Sequence, residues 1–169
     1  MKKYLKVVIL FLILSTLTFA KWITLDLVDE FNEKTKNNRI VASASKTIPK
    51  QVGVFAIDKI KFPNFEGYSF LLAVGQPLNY TKTEDSLFRE ATIKVKTENS
   101  TPIDIKGLIL DGSNNQITGI IPIEVIRLLK TSKIFKIVYY DINQQHNYLE
   151  FELAGFNEAF KTLVPHEKF

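Results

Sequence analysis

Apolar and polar residues alternate one by one in stretch after stretch of this chain, and a period of two is the signature of β-strands. Ile23, Leu25 and Leu27 alternate with Thr24 and Asp26, and Ile40, Ala42 and Ala44 with Val41 and Ser43. Tyr68, Phe70, Leu72 and Val74 share one parity, as do Ala91, Ile93, Val95 and Thr97, and again Asn147, Leu149, Phe151 and Leu153. Each set predicts a strand with those residues facing a core and the opposite parity facing water. Further strands are predicted over residues 52–60, 103–110 and 134–140.

Turn chemistry separates these runs. Asn37-Asn38 is predicted as the turn between the first two strands, Pro63-Asn64 precedes the fourth, and Asp111 to Asn115 (DGSNN) reads as a hairpin connection because Gly and Asn tolerate positive φ. Two helices interrupt the pattern. Pro122 fits a helix start, with Ile123, Ile126 and Leu129 following at helical spacing. Phe156, Ala159, Phe160 and Leu163 form one apolar stripe between Gly155 and Pro165. The expected fold is all-β: an antiparallel β-sandwich of about seven to nine strands. One short internal helix and a C-terminal amphipathic helix complete it, the latter closing one edge or end.

The first 20 residues obey different rules. Lys2, Lys3 and Lys6 precede the apolar run VVILFLIL, and Thr18 and Ala20 stand at −3 and −1 of a cleavage site. This is the pattern of a secretory signal peptide cut after Ala20; a spanning anchor needs about 20 apolar residues, and Ser15, Thr16 and Thr18 interrupt this run. A single domain is then expected over 21–169. Three of the 22 basic residues and none of the 18 acids lie in the leader, which leaves 19 against 18. The basic character of the whole chain is therefore no argument for nucleic-acid binding. A chain of this size buries about 70% of its unfolded surface, so the absence of cysteine fits an exported domain held by its core instead of by disulfides. The destination expected is a bacterial periplasm or cell exterior.

The last third has a recognisable order. A helix (PIEVIRLLKTSK) leads into a strand (IFKIVYYD), a turn, a second strand (NYLEFEL) and the helix AGFNEAFKTL. This resembles the C-terminal part of the invasion-associated locus B family of small exported β-sandwich proteins, the matching residues being Leu153, Gly155, Phe156 and Ala159. Trp22 and the Asp29-Glu30-Phe31 turn resemble the family's first strand and turn. The resemblance implies a β-sandwich and a role in host interaction. Unlike many members, this chain has no cysteine, and the motif is one of packing, so it carries no site residues across.

Catalytic signatures are poorly represented. His146 lies in a polar turn and His166 in the terminal tail, and a base needs a positioned partner. No Gly-x-Ser-x-Gly elbow, phosphate loop or His-Glu-x-x-His occurs. Asp111, Ser113 and Asn115 have calcium-loop spacing, but Gln116 and Pro122 stand where an EF-hand needs Gly and Glu, so the hairpin reading prevails. Asp26, Asp29, Glu30 and Glu33 cluster near the first turn and read as solvated charge; a hydrolytic acidic site there is the weaker alternative. Trp22 is either core packing or a partner anchor, and one ring of Tyr139-Tyr140 must face outward, which makes Trp22 and Tyr140 the candidate partner contacts. The sequons at Asn79 and Asn99 match the N-glycosylation pattern, without meaning in a bacterial protein. The functional expectation is an exported, non-catalytic binding or structural protein, or a surface-associated host-interaction factor. It would meet a protein partner of the envelope or exterior, and use no metal, cofactor or nucleic acid. It would not be an integral membrane protein once the leader is removed.

Overall fold

The computed structural model describes residues 22–28, 34–82, 89–109, 113–164 and 166–167. In chain order these form β1 (Ile23–Val28), β2 (Lys34–Ser43), β3 (Lys46–Ile48), β4 (Gly53–Phe62), β5 (Phe65–Val74), β6 (Thr81–Lys82), β7 (Arg89–Thr97), β8 (Ile103–Ile109), β9 (Gln116–Ile120), α1 (Ile123–Thr131), β10 (Ile134–Tyr140), β11 (His146–Glu152), α2 (Phe156–Lys161) and β12 (His166–Glu167). Strand is the dominant state, as the alternation demands. The residues expected to form a signal peptide, Ala20 among them, lie outside the described residues.

The strands make one hydrogen-bonded sheet where a two-sheet sandwich was expected, and there are twelve of them among the described residues. The main path runs β1-β2-β4-β5-β9-β8-β7-β10-β11-β3, antiparallel throughout, with β6 on β7 and a short parallel β12 on β4. Its two ends meet. Past Ser43 the chain bends, and successive amides turn to opposite neighbours. Ala44 N–H donates to Gly53 O on β4 at 2.8 Å, and Ser45 N–H to Glu150 O on β11 at 2.7 Å. The segment β2–β3 is thus flanked by β4 on one side and β11 on the other, and the sheet curls into a ring. Curling is what a sheet of this width does under its own twist. A ring of about eight strands leaves an interior that side chains fill, and here Phe55, Phe70, Phe135, Tyr139 and Phe151 fill it, each buried.

Inward parity follows the sequence for β2, β5, β7 and β11: Ile40 and Ala42, Phe70 to Val74, Ala91 to Val95, and Leu149 and Phe151 all enter the core. β1 departs from it. Its register places Ile23 opposite Val41, which has the outward parity of β2, so Ile23 and Leu25 join Val41, Val54, Ala56 and Ala73 in a second cluster on the outer face. Asn37-Asn38 does not form the predicted turn either, because both residues lie within β2. Asn38 is buried there, donating to Thr162 O at 2.7 Å and accepting from Val164 N–H at 2.9 Å. Pro63-Asn64 does form its turn, joining β4 and β5 at the pair Phe62–Phe65.

The helices close one end. α1 inserts Val125, Ile126 and Leu129, leaving Ile123 exposed, so its buried face is shifted from the predicted one. α2 begins after Gly155, whose φ of +80° suits a residue without Cβ, and buries Phe156, Ala159 and Phe160. Asn157 Nδ2–H bonds Lys130 O at 3.0 Å, tying the two helices together. The opposite end holds a polar layer. Gln51 Nε2–H donates to the buried Tyr139 hydroxyl and, at 3.2 Å, to Asn147 Oδ1. Asn147 Nδ2–H reaches Asp141 Oδ2 at 3.3 Å. Burial works against the Asp141 carboxylate, but hydrogen bonds from Gln145 N–H, the Asn147 amide and Asn143 N–H outweigh it and hold the carboxyl below its ordinary range.

Candidate functional site

Leu108 and Thr118 form the last paired step between β8 and β9 toward the helical end. Beyond it β9 leaves β8, and Lys106 and Ile120 have no pairing across the gap. Two glycines permit the backbones to come so close at this fork. A Cβ on Gly119 would lie 2.8 Å from Lys106 O and 2.9 Å from the Phe70 ring, and one on Gly107 2.6 Å from Thr118 O.

The fork opens an outer-face hollow of about 480 Å³. Ile60, Phe62, Leu108 and Ile120 supply its apolar wall, and Ser69, Thr118, Glu90 and Lys106 its polar one. It continues in both directions. Phe62 and Ile120 also border a hollow of about 470 Å³ with Pro63, Asn64 and Phe65. Glu90 and Lys106 also border one of about 340 Å³ with Asn79, Tyr80, Thr81, Thr92 and Tyr140. The three hollows share these lining residues and so form a row, the outer trough, across β4, β5, β9, β8, β7 and β10, about 24 Å at roughly 4.8 Å per strand. Its character changes along its length. At one end Phe62 is 39% exposed, Phe65 45%, Leu108 38% and Ile120 49%; at the other stand two phenols, an amide and two threonines.

Charges on this face are mostly paired. Lys94 and Asp104 meet at 2.7 Å, and that hydrogen bond raises the Lys94 pKa. Lys136 and Glu150 meet at 3.5 Å, whereas the Lys59–Glu66 pair, at 2.6 Å, has the inward parity of β4 and β5 and stands off this face. Lys106 and Glu90 differ: register sets Lys106 opposite Thr92 and Glu90 opposite Leu108, and among the described residues neither bonds or pairs with another side chain. Both rings at the polar end are braced, Tyr80 beneath the Arg89 guanidinium at 5.1 Å and Tyr140 edge-on to His146 at 4.5 Å.

The sequence-derived candidates divide around this site. Tyr140 lines the trough, half-exposed, while Tyr139 faces the core as alternation requires. Of its two readings Trp22 takes core packing and not the partner contact: it is only 3% exposed, packs on Phe156 at 4.8 Å and donates its indole N–H to Glu152 O at 2.9 Å, so it has no face for a partner. Asp26 stands exposed on β1, whereas Asp29, Glu30 and Glu33 lie outside the described residues. Of the three residues at calcium-loop spacing, Asp111 lies outside them too. Ser113 Oγ–H bonds Asn115 Oδ1 at 2.6 Å and Asn115 Nδ2–H bonds Val74 O at 2.9 Å, so these groups serve the hairpin. His146 braces Tyr140, and the His166 side chain lies outside the described residues. Asn79 and Asn99 are both exposed. No three His, Asp or Glu side chains converge among the described residues, and no helix among them is long and apolar enough to cross a membrane.

Phe62, Leu108 and Ile120 were not singled out in the sequence. Leu108 did carry a signal, since it is apolar at the outward parity of Asp104 and Lys106. Comparison with family models, curated proteins and solved structures returns no match.

Proposed function

We propose that this chain is an exported, non-catalytic binding protein and that the outer trough is its contact face. The row of adjoining hollows carries the proposal, with four large apolar side chains exposed toward one end of it. Contiguous exposed apolar surface with a polar rim is uncommon on a soluble domain unless something binds there. Its lining offers one carboxylate, one ammonium, two phenols and two amides, a set suited to holding a ligand. Among the lining residues no second carboxylate or imidazole accompanies Glu90 for paired proton transfer. Export rests on the Lys-rich, apolar and small-residue segments ahead of Lys21.

Two measurements test this. Amino-terminal sequencing of the exported fraction is expected to begin at Lys21; an intact chain confined to the cytosol would sink the export claim. Leu108→Asp and Ile120→Asp, both at exposed positions, are expected to leave the thermal midpoint nearly unchanged and to abolish saturable binding to envelope extract. Equal binding by wild type and both variants would remove the trough from consideration.

A further inference from the structure

The trough does not resemble a peptide-docking edge. Apart from the fork between β8 and β9 it runs across the faces of paired strands, and the fork itself lies within the sheet and not at an edge, so a ligand there is recognised by side chains and not by strand addition. Those side chains change from apolar to polar along a single line. Phe62, Leu108 and Ile120 offer only van der Waals surface. At the polar end, the half-exposed Tyr140 and the exposed Tyr80 present ring surface beside Asn79, Thr92, Glu90 and Lys106.

The two unpaired charges define what belongs at the junction. Glu90 accepts hydrogen bonds and Lys106 donates them, and their opposite signs stand on adjacent strands, so a head carrying net charge of either sign gains at one and loses at the other. A hydroxyl both donates and accepts, and a ring bearing hydroxyls at its rim also has a C–H face that lies flat on a phenol ring. We propose that the trough binds a neutral glycoside amphiphile, with its alkyl or acyl chain along Phe62, Leu108 and Ile120. The polyhydroxylated head sits between Tyr80 and Tyr140, hydrogen-bonded to Glu90 and Lys106. This deepens the reading of the trough as a contact face and rests on it.

The test is calorimetric titration of residues 21–169, with every probe below its critical micelle concentration. Octyl, decyl and dodecyl maltoside are compared with maltose, dodecanoate and dodecyltrimethylammonium. The maltosides are expected to bind one to one, tightening by up to about fifteenfold for each two carbons added. Maltose alone is expected to bind too weakly to detect, and the two charged chains about tenfold more weakly than dodecyl maltoside. Tyr140→Ala is expected to weaken dodecyl maltoside about tenfold and leave dodecanoate unchanged, while Leu108→Asp weakens both. Ile120→Asp, read beside it, guards against a single misfolded variant. Charged chains binding as tightly as the maltosides, no dependence on chain length, or indifference to Tyr140→Ala would each overturn the proposal. If an extract component binds through Leu108 and no maltoside competes with it, the glycoside proposal fails and the contact-face reading stands. If nothing binds in a way that either aspartate variant alters, both fall.

Discussion

Tyr139 shows how one buried polar atom ties stability to pH. Its ring is wholly buried, and its hydroxyl meets the Gln51 amide. Burial, opposed in part by that hydrogen bond, pushes its pKa up to about 12. A phenol that stays protonated in the folded state but ionises near pH 10 when unfolded gives its full stabilisation below pH 10 and loses it as pH rises toward 12. Two units correspond to about 2.7 kcal/mol. Wild type is therefore expected to lose about 2 kcal/mol more than Tyr139→Phe between pH 10 and pH 12, read from urea midpoints. Tyr148, also raised but partly exposed, titrates in both proteins and drops out of the difference. Parallel pH profiles for the two would refute the assignment. Trp22 teaches a different lesson at this scale. Its parity against Ile23, Leu25 and Leu27 was legible, but which parity faces inward was not, because the pairing of Ile23 with Val41 decides it and that pairing is non-local.

Elements were legible in proportion to their length and regularity. β4, β5, β7, β8, β10 and β11 have long uninterrupted patterns, and the stripe of α2 specified its buried face residue by residue. β3, β6 and β9 were not legible, being two to five residues long with mixed polarity that gives no period to count. Asn37-Asn38 misled for a chemical reason. Asn favours turns because its amide satisfies local backbone groups, yet the Asn38 amide satisfies a distant one, the chain leaving α2. That contact makes β2 and α2 a unit. Asn38→Ala removes both hydrogen bonds and leaves Thr162 O and Val164 N–H without their side-chain partner, at a cost of about 1–3 kcal/mol. The expected outcome is a lowered urea midpoint together with faster hydrogen exchange in α2 and unchanged exchange in β7 and β10. Uniform acceleration throughout would mean that α2 does not open separately from the barrel.

At the scale of the molecule the alternation established that there would be a sheet with a core, and nothing local says whether such a sheet stays open, splits in two or closes. Closure depends on Ala44 and Ser45 bonding to strands on opposite sides, a choice made by chain segments about a hundred residues apart. The trough was illegible for the same reason, since Phe62 on the β4–β5 hairpin comes beside Leu108 and Ile120 on the β8–β9 hairpin only through the non-local pairing of β5 with β9. Because the chain has no cysteine, closure is open to a clean test. Lys46 on β3 faces Glu150 on β11 in register, and antiparallel partners have Cα separations of about 4.5–5.5 Å, within disulfide reach. Lys46→Cys with Glu150→Cys sacrifices only the partly exposed contacts of Glu150 with Lys136 and Tyr148, worth little at such a site. Mild oxidation is expected to yield an intramolecular disulfide in the folded monomer. By closing a loop of roughly 100 residues, it would raise stability by as much as about 4–5 kcal/mol in the chain-entropy limit. Each single variant should form nothing but slow intermolecular dimers. If the double variant does the same, β3 does not lie against β11, and the sheet is an open one.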